Sequence, residues 1–410
     1  MAGSMFGSSV AESARDYSRL QSTIYDRARL SALKIMVVGA GALGNEIIKN
    51  LTLLGVGTVF IVDRDVIEAS NLTRSVLFCV PDIEQVIRNR TSKAEFAASR
   101  VRQMNPEVCA IAMVNEIGDV GLGILARMDL VFSCLDNEWA RFELGWACQR
   151  VNVPLVDGGL GATNYSSGLI SIFPGSAGPC YACRKGRQRR RELLQELQGI
   201  EDPCWMKERR LEEARTVSTT PLMASVIAAM QVELGLRHLL HPSASLEEGR
   251  SVRVALAPEA VMERFSFSVS PGCPLHEGAI GEITKLPERR SADTTVAELI
   301  LATMEGNESE EGVLYLDWPL IAEAECRQCG LRWQPMMRKA RFRRSASCPS
   351  CGNNSDLVQR EVVTSIDASS ALASRTIRQL GLPTQHIHEV SWNGRTNSTK
   401  HVELSGDCDE

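Results

Sequence analysis

Residues 34–44 of the chain read KIMVVGAGALG. After Lys34 the stretch is a continuous apolar run, which is typical of a strand buried on both faces of a parallel sheet. Glycines then form a GxGxxG pattern, and the following residues have helical spacing as far as Gly55. A second apolar run ends at Asp63. The stretch therefore predicts a strand, a tight glycine turn, a helix and a second strand.

The same alternation of strand-like and helix-like segments continues to about residue 157. We predict helices near 92–104 and 138–150, and strands near 108–114 and at 130–135. This alternation predicts an α/β fold with a doubly wound, Rossmann-like, mostly parallel sheet. The predicted divisions are an N-terminal helical extension (1–30), the α/β domain (31–280), a linker (281–293) and a smaller α+β domain (294–410).

The composition is that of a soluble globular protein. Of the 410 residues, 44% are hydrophobic and 23% are charged, which excludes disorder as the main state. The net charge of -5 gives no argument for binding to nucleic acid or to an anionic membrane. No stretch approaches the ~20 apolar residues of a membrane span, and the first residues lack the pattern of a secretory signal. We therefore expect a cytoplasmic protein without a membrane partner.

The cysteines favour metal over disulfides. There are 13, an odd number with close pairs in a chain that has no export signal. Two CxxC pairs separated by 18 residues match the spacing of a zinc ribbon over 326–351, and a glycine follows each pair. The predicted ligands of this closed structural zinc site are Cys326, Cys329, Cys348 and Cys351. A disulfide is the alternative.

Other polar residues of the C-terminal domain have less specific patterns. His386 and His388 share a strand face without a third convergent ligand, so we expect them at the surface. The ribbon also carries cations that would allow nucleic-acid contact, although we favour a protein contact or plain solvation. These cations are Arg338, Lys339, Arg341, Arg343 and Arg344.

The glycine turn is suited to phosphate binding. Glycines let a phosphate approach the backbone, and the start of the following helix supplies oriented N–H groups and partial positive charge. Asp63, at the end of the second strand, is placed to bind a ribose hydroxyl pair. Taken alone, the pattern is typical of a dehydrogenase, and a tight turn without a ligand is the alternative.

Four segments change that interpretation: Asp63-Arg64-Asp65, Ser70-Asn71-Leu72-Thr73-Arg74, Thr91-Ser92-Lys93 and Leu135-Asp136-Asn137. Together they resemble the ThiF/MoeB and ubiquitin-activating-enzyme superfamily, over about residues 15–280. The resemblance implies a ThiF-type adenylation domain that uses ATP and Mg²⁺ to adenylate the C-terminal glycine of a ubiquitin-like protein. One such domain per chain implies a homodimer. The chain looks most like the non-canonical activating enzymes of bacterial ubiquitin-like systems, some of which act in antiviral defence.

Adenylation brings a carboxylate up to a triphosphate, so cations are needed where the negative charge accumulates. We expect Arg74 and Lys93 to contact phosphates beside a donor from Asn71, and Asp136 to hold magnesium. The resemblance implies that Arg19 reaches the γ-phosphate in the partner subunit's site. Solvated side chains and a loop cap are the alternatives. The expected nucleotide-binding residues are Gly39, Gly41, Gly44, Asp63, Asp65, Asn71, Arg74, Lys93 and Asp136.

The resemblance implies two more features of this domain. Superfamily members commonly carry a structural zinc site, which would here be formed by Cys180, Cys183, Cys273 and His276. Zinc accepts Cys3His tetrahedrally, and ordinary buried thiols are the alternative. The glycine-rich run 158–161 is expected to be a channel for an extended Gly-Gly tail, with a turn between strands as the alternative.

Cys204 is the candidate nucleophile. It lies in the charged segment 184–217, where relatives thread a crossover loop that carries the thioester cysteine. Lys207 and Arg209 are near enough in sequence to lower the pKa of its thiol, and a thiolate is needed to displace AMP. Autophagy-type relatives place this cysteine directly before a threonine, where this chain has Arg215. The alternative is therefore that the chain only adenylates.

Three functions follow from these residues. The leading one is adenylation of a ubiquitin-like protein, thioester transfer to Cys204 and handover to a conjugating enzyme. The resemblance implies that the C-terminal domain recruits the conjugating enzyme or the modifier, and a dimerisation or stability module is the alternative. The second is a sulfur-carrier adenylyltransferase of the ThiF/MoeB kind that forms no enzyme–modifier thioester. The third is a catalytically idle zinc-bearing adaptor.

Overall fold

The computed structural model describes residues 15–20, 23, 25–161, 165–176, 178–197, 219–241, 249–276, 279–304, 312–392 and 399–409. Within these ranges the chain forms an eight-stranded sheet and a seven-stranded sheet. None of the helices in them combines the length and the apolar character that a bilayer span requires.

The first sheet is mostly parallel. Its strands are β1 (Lys34–Val38), β2 (Thr58–Val62), β3 (Cys109–Met113), β4 (Leu130–Ser133), β5 (Leu155–Leu160), β6 (Ser167–Phe173), β7 (Gly249–Ala255) and β8 (Val261–Phe267). They lie in the order β3-β2-β1-β4-β5-β6-β7-β8, with β1 to β5 parallel and β6 to β8 antiparallel. The strand order reverses between β1 and β4, and a crevice forms at the carboxyl ends of strands at such a point.

Helices cover both faces of this sheet. They are α1 (Arg27–Ala32), α2 (Ala42–Leu54), α3 (Ile83–Arg88), α4 (Lys93–Met104), α5 (Leu122–Leu125), α6 (Glu138–Arg150), α7 (Arg187–Leu197) and α8 (Pro221–Leu240). On β1, Ile35 and Val37 pack in a core with α2, α4 and α8, whereas Met36 and Val38 pack in a second core with α5 and α6. The predicted doubly wound α/β fold is confirmed.

The second sheet belongs to the C-terminal part of the chain. Its elements are β9 (Ile283–Lys285), α9 (Val296–Thr303), β10 (Gly312–Cys326), β11 (Arg332–Trp333), β12 (Met337–Arg338), α10 (Lys339–Ser345), β13 (Leu357–Asp367), β14 (Ile387–Trp392) and β15 (Thr399–Glu403). The long strand β10 pairs with β11, β12, β13 and β14. Strand β9 pairs in parallel with β15, so the segment predicted as a linker contributes a strand to this sheet.

Side chains of α6, which covers the first sheet, contact strand β10 of the second sheet. Trp318 of β10 packs against Trp146, with ring centroids 4.7 Å apart. The neighbouring Asp317 is ion-paired with Arg150 at the end of α6 and lies 3.0 Å from the Nε2 atom of His386. Because this contact buries the end of β14, the surface position predicted for His386 and His388 is wrong; His388 is only 3% exposed.

A candidate nucleotide cleft and two candidate metal centres

A cleft of about 290 Å³ lies at the carboxyl ends of β1, β2 and β4, where the strand order reverses. Most of the residues predicted to bind nucleotide line it: Gly39, Gly41, Asp63, Asp65, Asn71, Arg74, Lys93 and Asp136. Gly44 lies behind the glycine turn, outside the lining.

The three glycines of the turn have three different surroundings. Gly39 has a φ of +96°, and a Cβ there would lie 2.7 Å from the carbonyl oxygen of Cys134. A Cβ on Gly44 would collide with the carbonyl oxygen of Gly39, so Gly44 lets α2 pack against the turn. Gly41 would place its Cβ in open space, with nothing within 4 Å. The turn therefore leaves its backbone accessible from the cleft at the start of α2.

The side chain of Asp63 is held beside the glycine turn by hydrogen bonds from backbone amides. Its carboxylate accepts hydrogen bonds from the N–H groups of Ala40 (2.7 Å) and Asp65 (2.8 Å). Burial raises the pKa of this carboxyl above its ordinary value, against the opposing effects of Lys93 and the two amides. Asp63 is thus oriented by one amide of the glycine turn and one amide of the loop after β2, as a ribose-binding acid requires.

The expected phosphate-binding cations, Arg74 and Lys93, also line the cleft. The Nζ atom of Lys93 is 3.1 Å from a carboxylate oxygen of Asp65, at the start of α4. Arg74 follows a short turn in which Asn71 accepts a hydrogen bond from the N–H of Glu68 (2.9 Å). The ion pairs found among the described residues do not involve Arg74. Its charge is therefore available to a ligand in the cleft.

Asp136 follows β4 and lines the cleft together with these cations. The next residue, Asn137, caps α6 by accepting a hydrogen bond from the N–H of Ala140 (2.7 Å). Asp136 thus lies in the loop directly before a capped helix, with its side chain exposed. A carboxylate oxygen is a ligand that magnesium prefers, and this residue fits that role.

Several cleft residues were not predicted as site residues: Arg64, Glu116, Glu143 and Arg344. Arg344 comes from α10 of the zinc ribbon, more than two hundred residues beyond the glycine turn. The only sequence signal for it is the cluster of ribbon cations, for which a protein contact or plain solvation is the favoured interpretation. Arg338 of this cluster is instead buried within the chain, where it pairs with Glu143 (3.0 Å) and Asp119 (2.7 Å).

The first candidate metal centre lies beside α6. The Sγ atom of Cys180 is 3.7 Å from those of Cys183 and Cys273, and the Nε2 atom of His276 is 3.2 Å from Cys183. Zinc bound tetrahedrally by thiolates, with bonds of about 2.3 Å, would space the sulfurs about 3.8 Å apart. Hydrogen bonds from Cys180 and Cys273 lower the pKa of the Cys183 thiol. The four residues fit a zinc ion.

The second candidate centre is the ribbon. The Sγ atoms of Cys326 and Cys351 are 3.7 Å apart, and those of Cys329 and Cys348 are 3.5 Å apart. A disulfide bond would require about 2.05 Å, and the four thiols are free. Gly330 and Gly352 both have a φ of +72°, which permits the tight turn after each pair. This set also fits a zinc ion.

Of the two remaining predicted catalytic residues, one lies outside the described residues and the other lies away from this cleft. Cys204 lies outside the described residues, as do its neighbours from 198 to 218. Arg19 lies in the short helix Ser18–Leu20, is exposed and does not line the cleft of its own chain.

The glycine-rich run is part of the first sheet. Gly158 and Gly159 lie within β5 and pair with β6, so the alternative of a turn between strands is wrong. A Cβ on Gly158 would collide with the side chain of Gln231 in α8. Close packing against α8 therefore accounts for this glycine.

Comparison with known proteins finds both modifier-activating enzymes and sulfur-carrier adenylyltransferases among the relatives. The chain is 35% identical over 158 residues to the SAMP-activating enzyme E1 of Haloferax volcanii, which covers 38% of this chain and 55% of that protein. It is 30% identical over 151 residues to the sulfur carrier protein ThiS adenylyltransferase of Escherichia coli K12, which covers 37% of this chain and 57% of that protein. The chain thus spans little more than half the length of these curated relatives.

Among solved structures, the chain is similar to E. coli MccB crystallised with ATP. That match has a TM-score of 0.48 and 20% identity, and covers 62% of this chain and 68% of the other. The profile of the ThiF family matches residues 17–274, well over half of the sequence, and this range contains the whole cleft except Arg344. The chain therefore belongs to the ThiF family.

Proposed function

We propose that this chain uses ATP to adenylate the C-terminal glycine of a small ubiquitin-like or sulfur-carrier protein. The observation that carries the proposal is the convergence in one cleft of the glycine turn, Asp63, and the set Asn71, Arg74, Lys93 and Asp136. Family membership and the named activities of the relatives support it.

The residues of the cleft have distinct parts in this reaction. The turn and the start of α2 bind phosphate oxygens, and Asp63 holds the ribose. A carboxylate oxygen of the modifier attacks the α-phosphorus, and the bond to the bridging oxygen breaks as pyrophosphate leaves with the electron pair. Arg74 and Lys93 stabilise the charge that accumulates in this step. Asp136 would hold magnesium, which when bound neutralises part of the triphosphate charge.

Pyrophosphate–ATP exchange tests this function. We expect exchange that depends on a glycine-terminated ubiquitin-like protein encoded in the same genome. Asp136→Asn and Arg74→Ala should each lower the exchange rate by on the order of 100-fold or more. Arg360→Ala is the matched control, because Arg360 pairs with Glu325 in the C-terminal sheet and does not line the cleft. Absence of modifier-dependent exchange in the wild-type chain would favour the idle adaptor.

The finer proposal is the ubiquitin-like pathway. After adenylation, Cys204 would displace AMP to form a thioester, and the modifier would then pass to a conjugating enzyme. The long charged segment 184–217 and the additional C-terminal sheet support this route over release to a sulfur donor. A modifier adduct that disappears on reduction and in Cys204→Ala is expected. An adduct that persists in Cys204→Ala would exclude this cysteine, and no adduct at all would favour the sulfur-carrier route.

The proposed homodimer places Arg19 in the site of the partner subunit. Arg19→Ala and Asp136→Asn should then each be inactive alone, but mixed dimers should recover part of the exchange activity, because each contains one intact site. Lack of recovery after the two variants are co-expressed would contradict this role of Arg19.

A further inference from the structure

The zinc ribbon contributes to the wall of the nucleotide cleft. Helix α10 lies within the ribbon, and the guanidinium of its Arg344 donates a hydrogen bond to the carboxylate of Glu116. Both residues line the cleft together with the glycine turn. The C-terminal sheet is therefore in direct contact with the site on which the proposed function depends.

The ribbon arginines neutralise acids that would otherwise face a triphosphate. Glu116 pairs with Arg344 and with Arg64, the latter at 2.5 Å. Burial alone would raise the pKa of Glu116, but Arg344 and the other cations hold it below its ordinary value. Glu143, a second acid of the cleft wall, pairs with Arg338 at 3.0 Å. Without these cations, two carboxylates would repel the phosphates of ATP.

A continuous series of ion pairs joins the ribbon to the candidate phosphate site. It runs from Arg344 to Glu116 and from there to Arg64. Arg64 lies 3.6 Å from Asp65, which in turn holds the Nζ atom of Lys93 at 3.1 Å. A displacement of α10 would therefore change the surroundings of Lys93.

A zinc ion on the four ribbon cysteines would restrain α10 at its C-terminal end. The helix lies between Cys329 and Cys348, two ligands that would share one ion, and Cys348 follows its last residue by three positions. Within the described residues, the core beneath α10 is small and is built around Phe342 and Ile321. A module with so small a core depends on its metal for a fixed structure.

We propose that the zinc ribbon is a wall of the nucleotide site, in which Arg344 is a positioning residue that acts through Glu116, so that metal occupancy and ATP binding are coupled. This inference rests on the proposed function. Coupling between two binding sites is reciprocal: zinc in the ribbon tightens ATP binding, and ATP tightens zinc binding in the ribbon by the same free energy.

The first test measures ATP affinity by calorimetry on the zinc-loaded full chain. Arg344→Ala should weaken ATP binding by about fivefold or more, while Arg360→Ala should bind as the wild type does. Adding Glu116→Gln to Arg344→Ala should restore affinity, because the carboxylate that has lost one of its cations is then removed. An unrescued double variant with an unchanged melting temperature would overturn the positioning role.

The second test follows zinc transfer to a chromogenic chelator, with and without ATP. We expect zinc to leave the two centres at different rates. The ribbon should lose its ion in the faster phase, because Cys329 and Cys351 are exposed, whereas Cys180, Cys183 and Cys273 are buried. ATP should slow this phase in the wild type and not in Arg344→Ala. The wild type and Arg344→Ala could bind ATP equally well, with ATP slowing zinc loss from neither protein. That result would overturn the coupling but leave the proposed function standing. Absence of ATP binding by the wild type would overturn both proposals.

Discussion

Gly41 and Gly44 lie three residues apart, but only Gly44 is closely packed against other protein atoms. Substitution of Gly44 should therefore affect stability, and substitution of Gly41 should affect ligand binding. Gly44→Ala would force a methyl group into the carbonyl oxygen of Gly39, so we expect a loss of at least about 2 kcal/mol in the free energy of unfolding. Gly41→Ala meets no protein atom within 4 Å and should keep the stability of the wild type. Its methyl group would project into the cleft and weaken ATP binding. Chemical unfolding and calorimetry check both; equal stability of the two variants would contradict this account.

His388 is a second residue whose surroundings predict a measurable effect. Burial, together with the nearby His386, lowers its pKa to about 3. The unfolded chain binds this proton near pH 6.5 and the folded chain does not, so stability should fall as the pH drops from about 6.5 towards 3, by at most about 1.4 kcal/mol per pH unit. His388→Asn should have a shallower pH dependence of unfolding than the wild type. Parallel curves would show that His388 titrates normally.

At the scale of elements, the junction of α6 with β10 and β14 predicts a large effect for one arginine. Arg150 is ion-paired with Asp317 and with Glu389 (3.2 Å), and both Arg150 and Asp317 are nearly inaccessible. Arg150→Ala leaves the buried carboxylate of Asp317 without its arginine partner, which should cost about 3–5 kcal/mol in unfolding free energy. The control Arg253→Ala breaks an exposed pair with Glu263 on the edge of the first sheet and should cost no more than about 1 kcal/mol. Equal losses in the two variants would contradict the role of burial.

At the scale of the whole molecule, the two candidate zinc centres should differ in how readily they lose metal. We expect two zinc ions per chain by elemental analysis. Limited chelation should remove the ribbon ion first, because Cys329 and Cys351 are exposed while Cys180, Cys183 and Cys273 are buried in the core beside α6. Loss of this ion should loosen α10 and leave the first sheet folded, as followed by proteolysis at the ribbon. Simultaneous loss of both ions with global unfolding would contradict independent centres.

Many features of the molecule can be predicted from short-range sequence patterns alone, before the fold is known. The apolar run before Gly39 predicts a buried strand because strand and helix periodicities are local, and β1 has that position. Cys326 and Cys329, like Cys348 and Cys351, are brought together by their spacing and by the glycine after each pair. The cleft residues Asp63 and Asp136 were predictable because the carboxyl ends of parallel strands meet at one edge.

Other features depend on contacts between distant segments, and no local pattern predicts those. His388 is buried in β14, whose Glu389 pairs with Arg150 of α6, and β9 forms a strand by pairing with β15, which is distant in sequence. Arg344 reaches the cleft because the folded ribbon sets α10 against Glu116, although the two residues are 228 positions apart. Residue type and spacing account for the glycine turn and the cysteine pairs. The charge balance of the cleft depends on the packing of one sheet against the other, since a cation acts on whichever acid the fold brings within a few ångströms of it.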